Sequence, residues 1–365
     1  MSLKIKTAVL QDATSKAIKG VGKVGMLAIT TAIYIEAKDG YLCLSTTNNV
    51  NTLTVKVPLD SDLEQNEFVA CTDADLFNKL VSKTDSEYIE LSITDGCLQF
   101  VGAGAYNLAL IQDEEGNMGT IKPLNLSESA TSFKLAKTDL YNIINYNGLS
   151  VSKTYEEILY TNYFLSTDKC ITFNTVTACN SNIKLNAEIK ALIPASVVNL
   201  LNVFTEPTVD VFIDNDKIAF KTEMIYITGM LCDGIDDYPV DALLELFNNA
   251  EYNKKVTVNS AMLRNCLDRL NLFTTTNTAI SLNFTKTSLI IQNTDSTACE
   301  EIPYANPVEI EEYVNTCDIK DLLPVVSAAN TDLVSLVFGY SQGFKVVFGN
   351  VDFVIPYSSD ESEEV

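Results

Sequence analysis

The residues best suited to chemistry are three carboxylates in CDGIDDYP (232–239): Asp233, Asp236 and Asp237. Oxygen ligands of this kind suit a divalent cation, so the segment could serve a metal-dependent enzyme. An acidic turn is the commoner reason for such a sequence, and no partner motif accompanies it. The chain of 365 residues has no histidine, which excludes triads and metal sites built on imidazole.

Two further motifs lack the context that their chemistry needs. The nine cysteines are spaced singly, without a CxxC pair, and we expect reduced, mostly buried thiols. GAGAYN (102–107) looks like a phosphate loop, but it lies between two predicted strands, so the helix N-terminus that binds phosphate is absent. We therefore predict no catalytic residue, no cofactor and no metal.

Composition limits the class of protein. The length suggests two to three domains. The N-terminus lacks a secretory signal, so we expect a cytoplasmic protein, and no apolar run is long enough to cross a membrane. A net charge of −23 argues against binding to a polyanion, because such affinity comes from Lys and Arg.

The elements that would position any site follow one pattern three times: helix, strands, helix, strands. We predict an α+β fold of three tandem sheet-and-helix modules, 1–121, 122–245 and 246–357, with an acidic tail at 358–365. Each module has two helices that cover one sheet face, and 112–132 and 241–255 are read as polar or acidic connectors. The predicted first helices are 7–20, 137–150 and 259–273, and the second helices are 73–86, 194–207 and 318–331. Strand pairs are predicted at 34–58, 163–189 and 280–304, and closing hairpins at 87–111, 209–231 and 333–357.

Sheet edges left open by such modules must be paired or protected. Joining modules edge to edge achieves this within the chain. If the last edge of module three meets the first edge of module one in a second copy, twofold symmetry closes the assembly. The candidate edges are 103–111 and 294–304.

The three-copy layout carries a family resemblance, together with YIEAKDGYLCLSTTNNVNTLTVKVP (34–58), LCDGIDDYP (231–239) and FVIPY (353–357). It resembles the bacterial sliding clamp, the DNA polymerase III beta subunit. The resemblance implies the DNA clamp fold, closed into a ring as a head-to-tail homodimer. Such a ring encircles double-stranded DNA without sequence preference and tethers the DNA polymerase, without being an enzyme. A closed ring would stay on DNA because of its topology and would need little affinity for phosphate. A negatively charged exterior is therefore compatible with a protein that encircles DNA.

Within that resemblance, basic residues are candidates to contact DNA. Lys16 and Lys19 lie opposite the apolar stripe of the first predicted helix. The two arginines of the chain are five residues apart and point to different faces, so we expect at most one to line the hole. The full set of predicted DNA contacts is Lys16, Lys19, Lys23, Lys153, Arg264 and Arg269.

The resemblance also implies a groove in which the polymerase and the clamp loader insert a short hydrophobic peptide. Its predicted residues are Leu159, Thr175, Tyr238, Pro239, Val240, Asp318, Asp321, Ser341, Ile355, Pro356 and Tyr357. The stretch 174–182 lacks the Asp-Gly and basic residues usual in the family, and Asp318 and Asp321 replace more neutral residues, so partner peptides should differ. The predicted dimer contacts are Tyr106, Leu272 and Phe273.

Two other classes stay open at this point. One is the carboxylate-based enzyme described above, and the other is a structural repeat protein, which would need neither a basic lining nor a groove. Retention on circular but not on linearised DNA separates the clamp from both.

Overall fold

The computed structural model describes residues 2–22, 27–60, 63, 67–112, 115–274 and 277–358. The first copy contains β1 Ser2–Lys6, α1 Thr7–Ala17, β2 Ala32–Lys38, β3 Tyr41–Thr47, β4 Asn51–Pro58, β5 Phe68–Asp73, α2 Ala74–Lys83, β6 Tyr88–Thr94, β7 Cys97–Val101 and β8 Ala105–Ala109. Short 3-10 turns at Ile18–Gly20 and Ala28–Thr31 follow α1.

The second and third copies repeat this order. The second contains β9 Thr131–Ala136, α3 Lys137–Asn145, β10 Asn162–Ser166, β11 Lys169–Phe173, β12 Ala178–Asn182, β13 Lys190–Pro194, α4 Ala195–Val198, β14 Thr208–Asp214, β15 Lys217–Lys221 and β16 Ile225–Met230. Helix α5 Val240–Phe247 follows it. The third contains β17 Lys254–Asn259, α6 Ser260–Leu270, β18 Ala279–Phe284, β19 Ser288–Asn293, β20 Cys299–Pro303, β21 Tyr313–Asp318, α7 Ile319–Ala328, β22 Leu333–Phe338, β23 Gly343–Phe348 and β24 Val351–Pro356. Further 3-10 turns lie at Asn147–Ser150, Tyr155–Thr161, Asn199–Val203 and Asn271–Phe273.

Three predictions about the elements were wrong. Each copy builds two four-stranded sheets rather than one, because a strand also precedes each helix. The segment 241–255 is not only a connector, since most of α5 lies in it and Leu243 and Phe247 are buried. The second helix of the second copy has a single α-helical turn, α4, before a 3-10 turn.

The hairpin turns follow the turn chemistry of the sequence. Asp39 and Gly40, between β2 and β3, have φ of 52° and 77°, and Asp95 and Gly96, between β6 and β7, have φ of 51° and 73°. Two successive positive φ angles define the turn that matches the twist of a two-residue hairpin, and Asp-Gly adopts it readily. The prediction of a turn at Asp39-Gly40 is confirmed.

Helices lie against the sheets through an apolar stripe. In α1 the stripe contains Leu10, Ala13 and Ala17, and it packs on β3, β4 and α2. Helices α6 and α7 pair in the same way. Full burial of one leucine such as Leu10 stabilises the fold by about 2 kcal/mol.

The chain forms two compact units. The first contains Met1–Lys137 and Ser196–Leu231, and the second contains Thr138–Ala195 and the chain from Cys232 onward. Strands of the second copy thus contribute to both units. The repeat boundaries at 121/122 and 245/246 remain predictions.

Each unit contains one eight-stranded sheet that joins two copies. In the first unit β4 pairs antiparallel with β16, and Leu53 opposes Ile227. In the second unit β12 pairs antiparallel with β24, and Cys179 opposes Phe353. In both cases the strand that follows the first hairpin of one copy (β4 or β12) pairs with the last strand of the next copy (β16 or β24). In the third copy the strand equivalent to β4 and β12 is β20, and in the first copy the strand equivalent to β16 and β24 is β8. Each of these two strands is the edge of a four-stranded sheet.

One backbone contact recurs at the same place in all three copies. The residue two positions beyond the last strand donates its N–H to the strand before the second helix: Ile111 to Cys71 at 2.7 Å, Cys232 to Leu192 at 3.0 Å and Ser358 to Thr316 at 2.9 Å. Each bond covers part of an open sheet edge. The three copies therefore share their edge protection as well as their strand order.

No helix in the described ranges is long and apolar enough to cross a membrane.

Candidate functional site

Exposed apolar side chains lie on the edge strand β8 and directly after α6, which contacts the edge strand β20. On β8 Tyr106 is 46% exposed, and directly after α6 Leu272 and Phe273 are 74% and 54% exposed. Most large apolar side chains of the protein are buried instead. An edge strand with open backbone groups and exposed apolar side chains is a site for pairing with another strand. The structure therefore places all three predicted dimer contacts at the surface, and Tyr106 on an edge strand as predicted.

The two internal junctions indicate how β8 of one copy would pair with β20 of another. Ile227 of β16 and Phe353 of β24 stand where Tyr106 stands on β8, judged from the pairing with the preceding strand. At the first junction Ile227 opposes Leu53 of β4, and at the second Phe353 opposes Cys179 of β12. When β4 and β12 are superimposed by their pairing with the preceding strands, Cys179 lies two residues further along than Leu53, so the two junctions differ in register by two residues. If β8 pairs with β20 in the register of the β4–β16 junction, Tyr106 lies opposite Ala298. In the register of the β12–β24 junction, it lies opposite Glu300.

The first and second helices of the copies have a small net positive charge in a strongly acidic chain. With the 3-10 turns that continue them, they contain eight of the 25 Lys and Arg residues but only five of the 48 Asp and Glu residues. The negative charge of the protein thus lies outside these helices. The strands have a similar excess, with 12 Lys against 9 Asp and Glu, so the negative charge lies mainly in the segments that connect these elements.

Individual basic residues differ in how free they are to contact phosphate. Lys16 lies 2.7 Å from Asp12 one helical turn away and is only 25% exposed. Arg269 makes two contacts with the Glu300 carboxylate, at 2.7 and 2.5 Å. Neither cation is free in the isolated chain.

The other predicted contacts are more open. Lys19, Lys153 and Arg264 are exposed and make no ion pair among the described residues. Lys23 lies outside the described residues. Sequence reasoning missed two exposed cations on second helices, Lys83 of α2 and Lys320 of α7.

Carboxylates compete with phosphate near Lys16. Partial burial opposes ionisation of Glu206, but hydrogen bonds from Thr205 and Thr222 and the charge of Lys16 hold its pKa below the usual range. Glu206 therefore stays ionised and attracts the same ammonium group as Asp12. Among the predicted DNA contacts with a described position, Lys19 and Arg264 are those on helical elements that are exposed and have no ion pair among the described residues.

Part of the predicted groove forms one apolar cluster on the second unit. Leu159, Tyr238 and Val240 pack with Phe164, whose ring stacks on Tyr238 at 5.9 Å between centroids. Val354 of β24 joins this cluster, and sequence reasoning missed it although it alternates with Phe353 and Ile355. Pro239, next to Tyr238, is half-buried.

The remaining predicted groove residues lie apart from that cluster. Ile355 is fully buried and Tyr357 partly buried in the core that contains α6 and α7, on the other face of β24 from Val354. Ser341 is exposed and Pro356 is half-buried. The structure therefore does not bring Ile355 together with Tyr238.

The two predicted groove aspartates have different local roles. Asp318 caps α7: it accepts hydrogen bonds from the Lys320 N–H at 2.8 Å and from the Thr278 hydroxyl at 2.7 Å. A capping aspartate of this kind typically stabilises a helix by about 1 kcal/mol. Asp321 is half-buried, and burial followed by repulsion from Asp318 raises its pKa.

A strained turn lies beside the apolar cluster. Thr175 has φ of 71°, in the left-handed region that a β-branched residue rarely adopts. The next residue, Val176, is 48% exposed, and Ile158 is 61% exposed. The turn is close to the cluster because the ring of Phe173 contacts that of Tyr160 at 5.3 Å.

The carboxylates at 233–237 do not form a metal site. Asp236 is 93% exposed and lies 3.6 Å from Lys190. In the part of the chain that the structure describes, no three acidic or thiol groups converge as metal ligands would.

Comparison with known proteins finds likeness in structure only. No protein-family model and no curated protein matches the sequence. The chain is similar to the DNA polymerase III beta subunit of Borrelia burgdorferi, with a TM-score of 0.85 and 16% identity over 98% of this chain and 99% of that one. It is also similar to the beta subunit of Streptococcus pyogenes DNA polymerase, with a TM-score of 0.85 and 17% identity over 99% and 100% of the two chains. The sliding clamp of Bacillus subtilis gives 0.83 and 17% over 99% of both chains.

The chain has the sliding-clamp fold. The likeness extends over nearly the whole of both chains, so all three copies take part in it. The resemblance drawn from the three-copy layout is confirmed at the level of fold.

Proposed function

We propose that this protein is a DNA sliding clamp, a non-catalytic processivity factor of the cytoplasm. The observation that supports this most is the match to solved sliding clamps over 98–99% of the chain. A shared fold alone does not fix a function. The proposal therefore also rests on the two features described next.

The first feature is the pair of unmatched edges. Two antiparallel junctions link neighbouring copies within the chain, and β8 and β20 are the same two kinds of strand without a partner. A second chain supplies both missing partners at once, so a head-to-tail homodimer with six copies leaves no edge of this kind open. We propose that this dimer closes as a ring.

The second feature is the charge of the helices. If the first and second helices line the opening, their basic excess faces the phosphates, and the acidic remainder of the chain faces away. Lys19 and Arg264 would make screened, sequence-independent contacts. Weak contacts suit a ring that must slide, since topology rather than affinity keeps it on DNA.

The polymerase and the clamp loader would bind through a short hydrophobic peptide at the cluster around Tyr238 and Val240. The exposed side chains of Ile158 and Val176 give that surface its apolar rim. An apolar groove with a few polar groups is a common site for peptide recognition.

Retention on DNA tests the proposal. The protein is loaded onto a nicked circular plasmid with a clamp loader, or by reversible opening in mild denaturant, and then passed through a gel-filtration column. We expect it to elute with the circle and to be lost after a restriction enzyme linearises the DNA. Equal retention on both forms would contradict topological binding, and the structural repeat protein would then be the better account.

A further inference from the structure

The second unit has a cavity that shares only Val240 with the predicted groove residues. It has a volume of about 490 Å³ and lies between α5 and the hairpin β10–β11. Its apolar wall comes from Phe164, Ile189, Val240 and Leu244. We call it the α5 cavity. It lies at the 167–168 turn, and Thr175 lies at the opposite end of β11, so the cavity is separate from the strained turn.

The polar wall of the α5 cavity is held in place by the backbone. The Thr167 carbonyl accepts from the N–H of Leu185 at 2.8 Å, and its hydroxyl accepts from the N–H of Ile189 at 3.1 Å. The Asp168 carbonyl accepts from the N–H of Ile183 at 2.9 Å. A wall fixed in this way keeps the cavity open without a ligand, which lowers the cost of binding.

The charged residues of the lining balance, with Asp168 and Glu188 against Lys169 and Lys190. Lys169 lies 3.0 Å from Asp168, and Lys190 lies 3.6 Å from Asp236, so each lysine of the wall already has an acidic partner. Glu188 in the wall is exposed and makes no ion pair among the described residues. Asp241 and Glu245 add two exposed carboxylates on α5 itself. The acidic excess therefore comes from Asp236, Asp241 and Glu245 beside the lining, and it gives the rim a net negative charge.

These observations define the ligand by chemistry. An apolar wall with room for one or two large side chains suits a leucine or phenylalanine anchor, and a negative rim suits lysine or arginine beside it. We propose that the α5 cavity is a second docking site for a protein partner, one that presents a large apolar side chain flanked by basic residues. It goes beyond the proposed function, because ring closure and DNA retention do not depend on it. Since Val240 lines both surfaces, helix α5 would lie between two bound partners.

The test uses fluorescein-labelled hexapeptides and the full chain. One peptide has Leu-Phe between two pairs of lysines, a second has Gly-Ser in place of Leu-Phe, and a third has glutamates in place of the lysines. Fluorescence anisotropy measures affinity at low and at physiological salt. We expect the first peptide to bind at least 10-fold more tightly than either of the others.

Matched variants separate the α5 cavity from the general acidity of the protein. Glu188→Lys should weaken the first peptide about 5-fold and Leu244→Gln about 10-fold, because they remove a rim charge and an apolar contact. Glu223→Lys makes the same charge change at an exposed position in the first unit, and it should leave the affinity within 2-fold. Circular dichroism confirms that each variant is folded.

The position of the bound peptide gives a second measurement. With a benzophenone side chain in place of its phenylalanine, the first peptide should crosslink to the segments 185–190 and 240–247, as read by mass spectrometry. Crosslinks elsewhere, an equal loss of affinity in Glu223→Lys, or no binding of the first peptide would each overturn the proposal. Preference for an uncharged apolar molecule over the basic peptide would overturn it as well. Retention of Glu188→Lys on circular DNA should equal that of the wild type, so a failure here is distinct from a failure of the clamp proposal.

Discussion

Dimerisation through β8 can be tested with one side chain. Tyr106 lies on the edge strand, and we propose that a second chain covers it. Tyr106→Ala removes the ring and leaves the backbone of β8 able to pair. We expect the dimer to weaken strongly while the fold of the single chain is kept, because the ring is only half-buried without a partner.

The size of the effect follows from the exposed area. Tyr106 is 46% exposed as a residue, which for a tyrosine of about 200 Å² leaves about 90 Å² for the partner to cover. At about 25 cal/mol per Å², each junction loses about 2 kcal/mol. A closed dimer has two such junctions, so the loss is about 4 kcal/mol, or about a thousand-fold in Kd.

Sedimentation equilibrium from nanomolar to micromolar protein measures this Kd. The wild type should have twice the monomer mass of 40.1 kDa, and Tyr106→Ala should dissociate at a far higher concentration. Tyr141→Ala is the matched control, since Tyr141 is 43% exposed but lies on α3. A wild type that stays monomeric at every concentration, or equal shifts in the two variants, would refute the reasoning.

Three further predictions concern DNA, strain and pH. Arg264→Glu should shorten retention on circular DNA several-fold at low salt without changing the dimer, because it reverses an exposed charge on α6. Thr175→Gly should raise the free energy of unfolding in urea by about 0.5–1 kcal/mol, because glycine adopts positive φ without strain. Burial raises the pKa of Asp352, against a smaller opposing effect of Lys345, so its carboxylate destabilises the fold at neutral pH. Asp352→Asn should therefore be more stable than the wild type at pH 7 by about 0.5 kcal/mol after allowance for solvent screening, and this difference should vanish below about pH 3.9.

Each of these predictions has its own control. Lys184→Glu reverses an exposed charge outside the helices, and an equal loss of retention would show that Arg264 has no special position. A loss of stability in Thr175→Gly would mean that the turn is not strained. The direction of the pH effect at Asp352 follows from its pKa, which is higher in the folded state than in the unfolded chain. The stability of the wild type therefore falls as the pH rises through the folded-state pKa. A gain in stability that is equal at pH 3 and at pH 7 would mean that the charge of the Asp352 carboxylate is not its cause.

The periodicity of the sequence was sufficient to predict the threefold repeat but not the number of sheets in each copy. Asp-Gly turns and alternating runs located the hairpins of the first copy, because both signals are local. The five-residue strand β1 and its equivalents are too short to show a clear alternation, so they were missed. Helix α5 was missed because the polar residues that follow Phe247 hid its apolar spacing.

Contacts between distant residues could not be read from the sequence. The pairing of β12 with β24 joins segments about 170 residues apart, and β12 reads ACNSN, which has no apolar alternation. The contact of Arg269 with Glu300 likewise depends on how α6 lies beside β20. The ion pair between Asp12 and Lys16 could have been predicted, because a spacing of four residues places two side chains together on a helix. The capping role of Asp318 could also have been inferred from its place before α7.

Disulfide formation across the proposed junction tests the central claim most directly. Cys299 is exposed on β20, and the two registers place it opposite Ala105 or Asn107 of the second chain. Directly opposed Cα atoms lie about 4.5–5.5 Å apart, within the range of a disulfide, whereas a shift of two residues exceeds it. Under mild oxidation, one of the variants Ala105→Cys and Asn107→Cys should form a covalent dimer of two chains, and the wild type should not. Absence of a crosslink in both variants, under conditions where the protein is dimeric, would contradict the pairing of β8 with β20.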